Sequence, residues 1–188
     1  DNLLYPISIT TSDDKNDLLI GKVEGKINDS YLTLSTEINL GEGILVGGYP
    51  LSNKINSSTI KVTKGIVSSM SGQHNNFSEF QLDATVQPGN SGGPIINEYG
   101  NLVGVTSYML TNAQNTNFAK KSDTLKMLMD SNKISYFENK NKNKIDTVEL
   151  SSKLNDATLQ IFCANTESTW SKLIDQNKVS TKAASFLN

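Results

Sequence analysis

Between residues 3 and 119 the chain is a succession of short apolar runs cut apart by clusters of Gly, Asn and Ser. Residues 3–9, 18–23, 43–50, 59–63, 65–68, 77–86 and 102–110 each hold several branched, aliphatic or aromatic side chains, and residues 31–34 alternate apolar with polar. Such runs suit a pleated surface and are too short for independent helices. Turn-formers such as Tyr99-Gly100-Asn101 sit between them. A series of short strands buries its apolar faces only by stacking two sheets or closing one, so the pattern predicts a sandwich or a barrel.

Past residue 121 the period changes. Ser122-Asp123 opens a stretch through Asp130 in which Leu125, Leu128 and Met129 share one face, which predicts a capped helix. Residues 138–144 are almost all Asn and Lys and read as a solvated linker. Val148, Leu150, Leu154, Leu159, Ile161 and Phe162 then give a mixed apolar signal, and Trp170, Leu173 and Ile174 form one further helical face. The expected organisation is a domain over residues 1–135, followed by a linker and tail of unassigned role over 136–188.

Composition excludes several classes. The 188 residues are 19% charged with a formal net charge of -2, and no basic block carries interleaved aromatics, so nucleic acid is not an expected partner. No apolar run approaches the ~20 residues of a membrane-spanning helix. Cys163 is the single cysteine, so no internal disulfide can form. No His, Cys and carboxylate cluster has ligand spacing, and neither metal nor other cofactor is expected. The chain starts at Asp1 with no signal-peptide pattern, and residues 1–23 read as the middle of a domain. The expectation is a processed or truncated piece of something longer.

The chemistry concentrates in Asp83-Ala84-Thr85-Val86-Gln87-Pro88-Gly89-Asn90-Ser91-Gly92-Gly93-Pro94. A serine hydroxyl attacks an acyl group only with a base beside it and a backbone shaped to hold the developing oxyanion. Glycines let the chain turn so that two amide N–H groups converge, and the expected pair is Gly89 and Ser91. Gly92 and Gly93 add no side chain to crowd the acyl group. The same letters fit the G-x-S-x-G elbow of α/β-hydrolases, but that elbow needs a helix after the serine and a histidine later still. Here strands follow, and the single histidine, His74, precedes Ser91.

With these residues in view the chain resembles the trypsin-like serine peptidases of the HtrA (Deg) type. Gly65-Ile66-Val67-Ser68-Ser69 is similar to the strand before their active-site loops, and Leu102-Val103-Gly104-Val105-Thr106-Ser107 to the strand after their serine. Asn117-Phe118-Ala119 before a short helix is similar to the end of their second barrel. The stretch from Tyr5-Pro6 to Asp17-Leu18-Leu19 resembles the segment around their catalytic aspartate. The matches run in order over about residues 5–130.

The resemblance implies an all-β, chymotrypsin-like double Greek-key β-barrel with a C-terminal helix and a mixed tail, the first barrel being incomplete in this chain. It implies a serine endopeptidase with Ser91 as nucleophile, Asp17 as the acid that orients a histidine, and Gly89 and Ser91 as oxyanion donors. Thr85, Val86, Thr106, Ser107 and Tyr108 would line the specificity pocket, all uncharged. A polypeptide is the implied substrate, and a periplasmic or secreted setting the implied location. The family order of histidine, aspartate, serine places the base upstream of Asp17. His74 lies in the polar run Ser71-Gly72-Gln73-His74-Asn75-Asn76 and reads as a solvated loop residue. The chain alone is therefore expected to be inactive and to need a partner, either an N-terminal segment or another protomer. The alternative reading is a non-catalytic pseudo-protease or peptide-binding module.

Overall fold

The computed structural model describes residues 5–25, 27, 29–50, 59–111, 113, 115–139 and 142–163. Its strands are β1 (Ile7–Asp13), β2 (Leu18–Val23), β3 (Gly43–Gly48), β4 (Lys61–Ser69), β5 (Glu79–Leu82), β6 (Pro94–Asn97), β7 (Leu102–Met109) and β8 (Asn117–Lys121). Two α-helices follow, α1 (Ser122–Ser131) and α2 (Thr147–Ala157). The runs at 59–63 and 65–68 fuse into the single strand β4, whereas 31–34 provides only an isolated bridge at Leu34. The helical face expected around Trp170 lies outside the described residues.

The six strands β3-β4-β5-β8-β7-β6 close into an antiparallel barrel, and β1 and β2 form a separate two-stranded sheet. The expected barrel is thus present, with the all-β class intact apart from the helices. Contacts divide the chain into a larger unit, Asp13–Leu18 with Asp29–Gln160, and a smaller one that includes the outer parts of β1 and β2.

Period-two alternation fills the barrel. Ile44 and Val46 of β3, Val67 of β4, Phe80 and Leu82 of β5, Ile95 of β6 and Val103 of β7 form one fully buried cluster. The intervening Leu45 and Ile96 face outward and are just as buried, because Leu150 and Leu154 of α2 cover them. A strand sealed on both faces reads as a continuous apolar run, which is the pattern of residues 43–48. Leu150 and Leu154 stand at i and i+4 on one helix face, while Val148 is exposed. The Asp146 side chain caps α2 by accepting from the amides of Val148 and Glu149 at 2.8 and 3.2 Å.

The Asn/Lys-rich stretch expected as a solvated linker is tied along the larger unit. Asn139 N–H donates to Leu34 O at 3.1 Å and Ile145 N–H to Glu98 O at 2.9 Å. Lys142 and Lys144 pair with Glu37 and Glu98 at 3.1 and 2.8 Å. Ser122 does not cap α1, whose N-cap position is Lys121 with no side-chain cap bond. The Ser122 hydroxyl instead donates to Ser35 O at 2.5 Å, tying the helix start to the 31–39 segment.

Candidate active site

Ser91 sits, exposed, in the loop between β5 and β6. Backbone bonds pin that loop on both sides. Asn90 N–H donates to Gln87 O at 3.0 Å and Gly93 N–H to Asn90 O at 2.8 Å, closing two turns. Gly92 N–H donates to Thr106 O at 2.8 Å and Thr106 N–H to Gly93 O at 2.9 Å, stitching the loop to β7. The amides of Gly89 and Ser91 make no hydrogen bond with the described residues. Where exposure is forced by geometry, such N–H groups are ready to receive an external acceptor.

The glycines are required by geometry. Gly89 has φ 104° and Gly92 φ 82°, a region closed to most side chains. A Cβ on Gly93 would overlap the carbonyl oxygen of Gly47 at the end of β3. Asn90 is buried at 3% exposure, and its Oδ1 has no hydrogen-bond partner. Sequence reasoning did not single out Asn90 or the Gly47–Gly93 approach; the Gly47-Gly48 pair closing β3 was the available signal.

Asp17 ends the β1–β2 turn in the left-handed conformation, φ 54°, which short polar side chains tolerate. The preceding Asp13 organises the turn, accepting from Asn16 N–H at 3.1 Å and Asn16 Nδ2 at 2.7 Å. Those bonds, the Asn16 side-chain amide first, hold the half-buried Asp13 carboxyl below the usual carboxylate range. Ser107 Oγ donates to Asp17 Oδ2 at 3.4 Å. Asp17 and the Ser91 loop are therefore tethered to consecutive residues of β7: Ser107 for the one, Thr106 for the other. A register shift between Thr106 and Tyr108 inserts Ser107 as an extra residue opposite β8, re-aiming the strand at this point.

His74 lies in a 3-10 turn, Gln73–Asn75, exposed and with φ 53°. Among the described residues no hydrogen bond joins it to Ser91 or to a carboxylate.

Of the residues expected in the specificity pocket, Thr85 and Val86 line a cleft of ≈ 440 Å³. Its other walls are Met109, Leu110, Thr111, Ala113, Asn115 and Asn117, from the end of β7 and the loop to β8. Thr106 and Ser107 are buried in the stitching just described, and Tyr108 turns to Glu79. Asn117 Nδ2 donates to Ala84 O at 2.8 Å and so ties β8 to the chain entering the serine loop. No side chain lining the cleft is charged. Among the described residues no cluster of His, Cys, Asp and Glu suits a metal ion, and no helix is long and apolar enough to cross a membrane.

A closed six-stranded antiparallel barrel with a Gly-Asn-Ser-Gly-Gly loop stitched to its strand β7 defines a chymotrypsin-like peptidase fold. Residues 1–105 match the family model of the trypsin-like peptidase domain. The chain belongs to that trypsin-like peptidase family, in its HtrA type. It is 34% identical over 171 residues to the uncharacterized protein y4bJ of Sinorhizobium fredii, covering 86% of this chain and 27% of that protein. It is 31% identical over 185 residues to a serine protease HtrA-like protein of Staphylococcus aureus, covering 82% and 22%. Among solved structures it is similar to the HtrA-type protease AlgW with decapeptide, at 28% identity and a TM-score of 0.57, covering 68% of this chain and 40% of that one. The serine endoprotease from Yersinia pestis shares the fold with a TM-score of 0.56 at 24% identity over 67% of this chain and 43% of its own. The chain spans about a quarter of the length of the relatives matched by sequence.

Proposed function

We propose that the chain carries the nucleophile and acid of a serine endopeptidase, and that its histidine comes from a segment outside these residues. The observation that carries the reading is the common tether on β7: the Ser91 loop is bonded to Thr106 and the Asp17 carboxylate to Ser107. Ser91 Oγ would attack the scissile carbonyl while the imidazole accepts its proton and Asp17 orients that imidazole. The free amides of Gly89 and Ser91 would receive the oxyanion, a contribution worth ~3–4 kcal/mol of barrier per donor in related chemistry. The imidazolium then protonates the leaving amine, and water releases the acyl group from Ser91.

The uncharged cleft of Thr85, Val86, Met109 and Leu110 supports a neutral, small-to-medium P1 side chain. Peptides with Val, Ala or Ile at P1 should be cleaved ahead of those with Lys or Arg. The choice among the apolar residues should be loose, since one methylene is worth only ~1–3 kcal/mol in such a pocket. A preference for Arg in a P1-varied peptide library would refute the assignment.

The test of the chemistry is a fluorophosphonate probe at pH 8. The full-length protein should be labelled on Ser91, and Ser91→Ala should abolish both labelling and peptidase activity, a loss of ~10⁶-fold in turnover. Folded full-length protein that takes no label, together with a sequence before Asp1 that holds no histidine, would instead establish the non-catalytic peptide-binding module.

A further inference from the structure

The outer wall of the barrel holds a charge pair that catalysis does not use. Glu79 of β5 and Lys120 of β8 face each other in register, and Lys120 Nζ donates to Glu79 Oε1 at 2.5 Å. They are 3% and 5% exposed. The second carboxylate oxygen, Oε2, accepts from the Tyr108 hydroxyl at 3.1 Å. The Tyr108 ring stacks on Phe118 of β8, centroids 4.8 Å apart and planes 21° from parallel. A Cβ on Gly72 would overlap Glu79 Oε2, so the turn at 71–76 lies directly over the carboxylate. The carboxylate of Glu79 thus bridges the Lys120 ammonium on one oxygen and the Tyr108 phenol on the other.

Stability does not explain this cluster. A buried ion pair replaced by apolar side chains of similar volume is often neutral or stabilising, because desolvation offsets the attraction. What an apolar pair cannot do is hold a hydroxyl in place. Tyr108 is the residue just after the extra residue of the β7 register shift, and that extra residue, Ser107, is the one that reaches Asp17. A bulge has alternative placements along its strand unless a neighbouring side chain is anchored. The next residue, Met109, lines the cleft.

We propose that Glu79 and Lys120 are positioning residues that lock Tyr108 on the outer wall and thereby set the β7 bulge, so that Ser107 meets Asp17 and Met109 meets the cleft. As a statement about catalysis this rests on the peptidase reading above; as a statement about the bulge it does not.

The test uses full-length protein with two variants: Tyr108→Phe, which removes only the hydroxyl, and Glu79→Leu/Lys120→Met, which removes both charges together. Hydrogen exchange is read at residues 106–110, and KM and kcat are read with a Val-P1 peptide. Glu79→Leu/Lys120→Met should keep the wild-type unfolding temperature or exceed it, whereas Tyr108→Phe, which leaves buried Glu79 Oε2 without its donor, should lower it slightly. Exchange at 106–110 should quicken about tenfold, the loss of one modest hydrogen bond; KM should rise as Met109 leaves the cleft, and kcat should fall by a similar factor as Ser107 releases Asp17. Glu79→Gln/Lys120→Gln, which keeps an acceptor for the phenol, should restore part of each. Wild-type exchange at 106–110 in Tyr108→Phe overturns the proposal, as does wild-type KM in both variants. If wild-type protein neither labels nor cleaves, the peptidase reading fails, and exchange alone still decides the bulge.

Discussion

Gly93 faces the carbonyl oxygen of Gly47 so closely that no Cβ fits between them. The motif would be read from sequence as a glycine that clears space for substrate, but the constraint comes from behind, from β3. Gly93→Ala should therefore displace the serine loop even though the new methyl would not meet substrate. The expected outcome is a folded barrel, lower in unfolding free energy by ~1–3 kcal/mol, that no longer takes the fluorophosphonate label. Urea denaturation and labelling read the two effects separately, and normal labelling would contradict the close approach. Ser91, Gly89 and Asp17 are proposed from sequence because their residue types stand in a specific run of glycines and turn residues. Asn90, Met109 and Leu110 were not, because an ordinary Asn beside a serine, or ordinary apolar residues at a strand end, acquire meaning only from what packs on them.

Helix α2 presents the same contrast between local signal and packing. Its cap, Asp146 with Glu149 at the third helical position, was a readable helix start. The Asn/Lys-rich approach obscured it, and the apolar residues beyond give only a mixed signal in the sequence. Two of them suffice, because Leu150 and Leu154 form one buried cluster with Leu45 and Ile96 on the barrel wall. Leu154 also touches the place where a Gly47 Cβ would stand, at 3.2 Å, so the helix backs the strand end that abuts Gly93. Leu154→Ala, at a fully buried site, should cost ~2–5 kcal/mol by transfer and cavity terms. Chemical denaturation checks this; a loss under ~1 kcal/mol would mean that α2 is dispensable to the barrel.

The β1–β2 sheet carries Asp17 on its turn yet leaves Ile7, Ile9 and Leu19 exposed at 40, 68 and 55%. A lone two-stranded sheet is marginal in water, and exposed apolar strands recruit partners. The 188-residue chain should accordingly associate as its concentration rises, detectable by sedimentation, and should take no fluorophosphonate label. Longer protein that includes the residues before Asp1 should be labelled and show no such association. A 188-residue chain that stays monomeric at high concentration would argue that the hairpin needs no cover.

Local chemistry sufficed for the class of the fold and for the glycine requirements of the serine loop. Alternation at period two and turn residues between short runs depend only on neighbours in the chain, and the glycine-rich serine loop carries its conformational requirements in its own residue types. Tertiary structure decided the rest, because those features couple residues far apart in sequence. It closed β3 against β6, tied Asn139 and Ile145 to the larger unit, laid α2 over β3, and inserted Ser107 into β7 so that one strand tethers both Asp17 and the Ser91 loop. The buried meeting of Glu79, Lys120 and Tyr108 is of the same kind: three polar residues that look solvated one at a time share a dry site only after β5, β7 and β8 pair.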